Sequence, residues 1–173
     1  MDYFETIKTK VADLDIGLLA INAGAMQTGR FDKQSDIGLQ QMMDANVYHF
    51  AAMLKKFLGH LNKRPGQTGV IIEASVATLT PLANNSTYHA SKTFEFYLCK
   101  AIQSELSSIG SRVEVLIACP SFVYTTLLGS LKPPPLTSVL PCHTVKDTLK
   151  CIGYDKMTFG CISHELQSFF LRH

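Results

Sequence analysis

The sequence predicts an α/β domain built on a parallel sheet. Two observations carry this. Short, nearly continuous apolar runs at 15–21, 69–74 and 113–118 read as strands buried on both faces. Long stretches with helical apolar spacing, at about 36–62 and 87–108, separate them.

The elements follow in order. Residues 2–13 read as a short helix, with Phe4, Ile7 and Val11 on one face. The first strand, 15–21, ends in Asn22-Ala23-Gly24-Ala25, and 26–35 is polar and loop-like. Ser35 or Asp36 caps the helix at about 36–62, whose apolar positions include Leu39, Met42, Phe50, Leu54, Phe57 and Leu61. Pro65-Gly66 stops it. The second strand, 69–74, leads into a polar loop that runs to Ser86. The helix at about 87–108 ends near Gly110, a C-cap. Pro120 stops the third strand, and Pro133-Pro134-Pro135 marks a stiff extended loop. A helix at about 143–152, a short strand at 158–163 and a final helix or frayed tail close the pattern.

Composition excludes several function classes. The chain is 46% hydrophobic and 17% charged, enough to build a core. Its 16 basic and 14 acidic side chains are too evenly balanced for nucleic acid or an anionic membrane as the partner. Lys55-Lys56 with Lys63-Arg64 is the densest basic cluster and reads as the wet face of a helix. The five cysteines form no C-x-x-C pair and read as reduced, partly buried thiols of an intracellular protein. The six histidines lack metal-ligand spacing, so no metal is expected. No run reaches the length of a membrane span, and neither a secretory signal nor a terminal address is visible.

Chemistry concentrates in Tyr88-His89-Ala90-Ser91-Lys92. Positions four apart share a helix face, so phenol and ammonium project together. A free phenol has a pKa near ~10. A nearby cation favours phenolate and brings that value down. A tyrosine so tuned protonates a developing alkoxide, or deprotonates an alcohol in reverse. Taken alone, the spacing also fits a surface pair on an amphipathic helix.

Four further segments stand in matching order. Ser75 lies at the end of the second strand, 13 residues before Tyr88. Asn22-Ala23-Gly24 follows the first strand, and Asn46 sits inside the long helix, where asparagine is mildly unfavourable. Pro120-Ser121-Phe122-Val123-Tyr124-Thr125 follows the third strand. Over roughly residues 2–165 this pattern resembles the C-terminal two-thirds of the short-chain dehydrogenase/reductase family. Its Asn-Asn-Ala-Gly segment is matched with Ile21 in place of the first Asn, and Ser121 and Phe122 depart from its Pro-Gly-x-Val-x-Thr segment. Pro-x-Phe-Val-x-Thr, with Phe4-Glu5-Thr6-Ile7-Lys8, looks most like the branch of very-long-chain 3-oxoacyl-CoA reductases and 17β-hydroxysteroid dehydrogenases.

The resemblance implies NADPH-dependent reduction of a ketone, either a 3-oxoacyl-CoA or a steroid-like one. NADP(H), or NAD(H), is the implied cofactor. The implied catalytic residues are Asn46, Ser75, Tyr88 and Lys92. Tyr88 donates the proton, Ser75 polarises the ketone, Lys92 lowers the tyrosine pKa and contacts the nicotinamide ribose, and Asn46 completes a proton relay through a water. Cofactor contacts fall to Asn22, Ala23, Gly24, Tyr88, Lys92, Pro120, Val123 and Thr125. Residues 126–143 correspond to the substrate loop, where Leu127, Leu128, Leu131, Leu136 and Leu140 suit either a lipid-like substrate or ordinary packing. The branch implies a cytoplasmic or endoplasmic reticulum-associated location inside the cell.

A glycine-rich turn between a first strand and first helix, which lets the backbone approach the pyrophosphate, is not found. The expected fold is therefore a partial Rossmann-like, doubly wound parallel sheet without its first βαβαβ half: one truncated domain over 1–173. In the family's strand order the strand at 15–21 is the fourth and pairs with the first. Its edge is expected to be bare and apolar, open to a second copy or another protein. A catalytically inactive fragment, or an interaction module that pairs with a full-length relative, is thus the alternative to an active ketoreductase.

Overall fold

The computed structural model describes residues 3–129 and 137–172. The expectations for Leu131, Leu136 and Pro133-Pro134-Pro135 lie outside the described residues. Four parallel strands form the main sheet: β1 (Leu18–Ile21), β2 (Thr68–Glu73), β3 (Val113–Ala118) and β6 (Met157–Thr158), in the order β1-β2-β3-β6. The register sets Ile21 beside Ile72 and Ile72 beside Ile117. Two short parallel strands, β4 (Phe122–Val123) and β5 (Ser138–Val139), pair separately. They were not legible in the sequence, because two residues carry no periodicity.

Helix α1 (Tyr3–Lys10) packs on α3 (Phe50–Lys63). The long helical stretch starts at α2 (Asp36–Met43), where the Ser35 hydroxyl accepts from the Gly38 amide at 3.2 Å. It is not one uniform helix. Asp44–His49 forms a π-helical turn between α2 and α3. In α3 the buried positions Phe50, Leu54, Phe57 and Leu61 recur at helical spacing, and Phe50, Leu54 and Leu61 join the core over the sheet. They pack with Val70 and Ile72 of β2 and Val115 and Ile117 of β3, all buried.

Helix α4 (Ser86–Ser108) ends in a Schellman turn. Gly110 has φ +62°, its amide donates to the Ser107 carbonyl, and the Ser111 amide donates to the Leu106 carbonyl at 2.9 Å. The inward face of α4 is mixed. Ser91, Lys92 and Glu95 near its start are buried, as are Cys99 and Leu106 further on. Burial pushes the thiols of Cys99 and Cys119 up to about 12, so neither is a ready nucleophile.

Two expectations need correction. β1 is not buried on both faces: Ile21 is buried and Leu19 packs on the core, while Leu18 and Ala20 are exposed. This alternation follows from the strand period of two when α3 covers one side only. As the outer strand of the sheet, β1 leaves its other edge unpaired among the described residues. The expected strand at 158–163 shrinks to Met157–Thr158. Gly160, at φ +88°, turns the chain, its amide donating to Thr158 Oγ1 at 3.0 Å. Ile162 then opens α6 (Ile162–Arg172). Helix α5 (Pro141–Cys151) precedes β6, with proline in the first turn.

Phe50 is 1% exposed at the centre of this packing. Phe50→Ala is expected to lower unfolding stability by about 3–5 kcal/mol in a urea titration.

Candidate active site

The main-sheet strands run parallel, so their C-terminal ends share one edge. In open α/β sheets that edge is where ligands bind. The chain leaves β1 at Asn22, β2 at Ala74-Ser75 and β3 at Cys119-Pro120. The Ala74 amide donates to the Ala118 carbonyl (2.8 Å) and the Val76 amide to the Pro120 carbonyl (3.0 Å). These bonds hold the Ser75 turn beside Pro120.

Asn46 sits inside the π-helical turn and is fully buried. Its side chain pairs with the main chain of Ala25: Oδ1 accepts from the Ala25 amide and Nδ2 donates to the Ala25 carbonyl, both at 2.8 Å. Nδ2 also donates to Ser91 Oγ at 2.9 Å. Ser91 Oγ in turn donates to the Tyr88 carbonyl at 2.8 Å. One amide thus ties the loop after β1 to the first turns of α4. A widened turn is a common way to aim a side chain inward at a functional site.

Lys92 lies one step further in, 4% exposed. Its Nζ donates to the Glu73 carbonyl at the end of β2 (2.8 Å) and to both carboxylate oxygens of Glu95 (2.9 and 3.1 Å). Gly24 packs against this group: a Cβ there would stand 3.2 Å from Asn46 Oδ1 and 3.4 Å from Lys92 Nζ. The Ser75 hydroxyl stands near enough to the Tyr88 phenol to favour its ionised form, and Ser75 Oγ accepts from the Ala77 amide at 3.1 Å.

The electrostatics correct one expectation. Tyr88's pKa is raised, not lowered. Burial dominates and pushes the phenol up; the Lys92 charge and the Ser75 hydrogen bond pull it down, while Glu95 and Glu73 push it up. Both acids are unusual. Burial raises Glu73 and Glu95 to about 7, against the pull of Lys92.

The structure therefore brings Asn46, Ser75, Tyr88, Lys92 and Gly24 into one cluster. Asn22 and Ala23 lie exposed at its mouth. Pro120 is buried beside the Ser75 turn, whereas Val123 pairs with Val139 in the small sheet and Thr125 is exposed beyond it. Of the leucines in 126–143, Leu127 and Leu140 are exposed and Leu128 is partly buried. Sequence reasoning missed Ser91, Glu73, Glu95 and His164. Glu95 could have been found from its spacing of three from Lys92 on one helix. His164, fully buried, pins the segment after β3. Its Nδ1 accepts from the Ser121 amide (3.2 Å), which leaves Nε2 to donate to the Phe122 carbonyl (3.3 Å). Burial lowers its pKa, in keeping with a neutral ring. Nothing in the pattern announced it.

Among the described residues no group of His, Cys, Asp and Glu converges as a metal site, and no helix is long and apolar enough to cross a membrane.

Glu73 gives a pH signature. Folding raises its pKa from 4.5 to about 7, so the folded chain holds a proton the unfolded chain has lost. Its contribution to stability is fully present below 4.5 and is lost as pH rises towards 7. Glu73→Gln is expected to flatten the fall in stability across that window, by on the order of 1–3 kcal/mol, in denaturant titrations at stepped pH.

Comparisons with known proteins agree with this geometry. Human 17-beta-hydroxysteroid dehydrogenase type 3 is 30% identical over 174 residues, which cover 98% of this chain and 54% of that protein. Human very-long-chain 3-oxoacyl-CoA reductase is 28% identical over 170 residues, covering 95% of this chain and 53% of the relative. The chain thus spans about half the length of these relatives. A solved 7beta-hydroxysteroid dehydrogenase superposes with a TM-score of 0.79 at 19% identity, over 96% of this chain and 66% of that one. A short chain dehydrogenase from Burkholderia cenocepacia, solved in complex with NADP, gives 0.78 at 20% identity, over 95% of this chain and 68% of that one. The family model for short chain dehydrogenases matches residues 1–135. The chain belongs to the short chain dehydrogenase family of oxidoreductases.

Proposed function

We propose that this chain carries the catalytic half of an NADPH-dependent ketoreductase that acts on a 3-oxoacyl-CoA or a steroid-like ketone. The observation that carries the reading is that the Ser75 hydroxyl and the Lys92 ammonium both stand close enough to the Tyr88 phenol to favour its ionised form. Two hydroxyls so placed converge on one carbonyl oxygen. The similarity to a 3-oxoacyl-CoA reductase and a hydroxysteroid dehydrogenase supports the substrate class.

The roles follow from the chemistry. Ser75 donates to the ketone oxygen and holds it against Tyr88. Tyr88 gives its proton to that oxygen as negative charge develops there. Burial keeps the phenol protonated at neutral pH, which suits a proton donor. The Lys92 charge stabilises the phenolate left behind. Asn46 fixes the loop at Ala25 and, through Ser91, the backbone of Tyr88. Residues 126–143, with Leu127 and Leu140 exposed, form the substrate loop in this reading.

A nicotinamide cofactor, when bound, supplies the hydride. The residues present fit its nicotinamide end. Asn22, Ala23 and Gly24 are exposed at the sheet edge, and Gly24 passes so close to Asn46 that a side chain there would press on its Oδ1. Pro120, Val123 and Thr125 would line the opposite side.

Purified protein with NADPH and a 3-oxoacyl-CoA should show a loss of NADPH absorbance. Tyr88→Phe should cut that rate by at least ~100-fold, and Ser75→Ala by a similar factor. Absence of both turnover and cofactor binding in the unaltered chain would reject the reading. One observation favours a second reading, an interaction module: the outer edge of β1 is unpaired, with Leu18 and Ala20 exposed beside it. Size-exclusion chromatography, alone and with a full-length relative, should then show a dimer or a mixed complex; a monomer indifferent to the relative contradicts it.

A further inference from the structure

The Lys92 ammonium has three N–H groups and three acceptors around it. These are the Glu73 carbonyl at 2.8 Å and the Glu95 oxygens at 2.9 and 3.1 Å. The side chains of Lys92 and Glu95 are only 5% and 3% exposed, so water does not compete. No donor remains for a ligand hydroxyl. A carboxylate against the ammonium also offsets its charge at Tyr88, where Glu95 acts opposite to Lys92.

We propose that Glu95 is a positioning residue that keeps the Lys92 N–H groups from the cofactor's ribose and offsets the Lys92 charge at Tyr88, and releases both when the carboxylate is neutralised. This rests on the reading of Lys92 as the cofactor-side lysine. The groups that face Glu95 are Lys92, Tyr88 and Cys99 on α4 and Glu73 on β2. Lys92 favours the charged carboxylate and Glu73 opposes it, and burial places its titration at about 7. Below that pH a neutral carboxyl keeps one proton of its own and accepts less well, so a Lys92 N–H is freed. At the same time the ammonium acts undiminished on the phenol. Ribose binding should therefore strengthen as pH falls through this window.

Two readouts on the full chain test this. The first is the ¹³Cζ resonance of Tyr88, identified by its loss in Tyr88→Phe. In the unaltered chain it should step near pH 7 together with the Glu95 carboxyl signal. Glu95→Gln should remove that step and lower the phenol's ionisation midpoint by roughly one unit, whereas Glu73→Gln should keep the step. A Tyr88 signal that ignores Glu95's titration overturns the proposal, and this arm does not depend on whether Glu95→Gln folds. The second readout is binding of reduced nicotinamide mononucleotide, which presents the ribose alone. Glu95→Gln should bind it roughly tenfold more tightly at pH 8, and the two proteins should converge at pH 6. Equal binding at both pH values overturns the proposal. If neither protein binds the probe while the Tyr88 step follows Glu95, the cofactor reading fails and the coupling of Glu95 to Lys92 and Tyr88 stands.

Discussion

A buried ammonium organises this site. Lys92 is carried on α4, yet its strongest neutral partner is the last carbonyl of β2. Taking a charge out of water costs several kcal/mol unless hydrogen bonds and an opposite charge replace the lost solvent. Glu73's carbonyl and Glu95's carboxylate make that replacement, and so fix the start of α4 against the end of the sheet. The rest of the cluster hangs from this joint. Tyr88 lies one turn before Lys92, and Ser75 follows the strand that Lys92 grips. A side chain at Gly24 would press on Asn46 Oδ1 and touch Lys92 Nζ.

Asn46 is the second tie, and it works as a peptide mimic. A backbone strand pair exchanges one N–H···O bond in each direction; Asn46 makes the same exchange with Ala25 from inside a helix. The widened turn that allows this would weaken an isolated helix. Here it is held by burial of Phe50, Leu54 and Leu61 on the same segment. The loop after β1 is thereby set beside the first turn of α4, although β1 is short and covered on only one side.

Much of this was legible in the sequence, and the reasons are physical. The strands at 68–73 and 113–118 announce themselves because both faces are covered and, Glu73 and Glu114 apart, every residue is apolar or small. The long helices show a 3.6-residue apolar period. Tyr88 and Lys92 share one helix, as their spacing implies, and Ser75 follows the second strand. What was not legible depends on partners distant in sequence. The exposure of Leu18 and Ala20 reflects what does not pack on β1, which no local pattern encodes. The rise of Tyr88's pKa reflects burial, which outweighs the Lys92 charge that the spacing reveals. The early end of the strand after Thr158 turns on a positive-φ glycine. His164 reads as one more polar residue until the carbonyl of Phe122 and the amide of Ser121 are seen around it.

The account stands on Lys92 being charged, buried and held by Glu73 and Glu95. Hydrogen exchange of its ammonium, followed by ¹H–¹⁵N spectra tuned to lysine side chains at neutral pH, tests this most directly. The structure predicts a cross-peak from a slowly exchanging NH₃⁺ group that disappears in Lys92→Met. Lysine signals that all exchange at the rate of free side chains would contradict it.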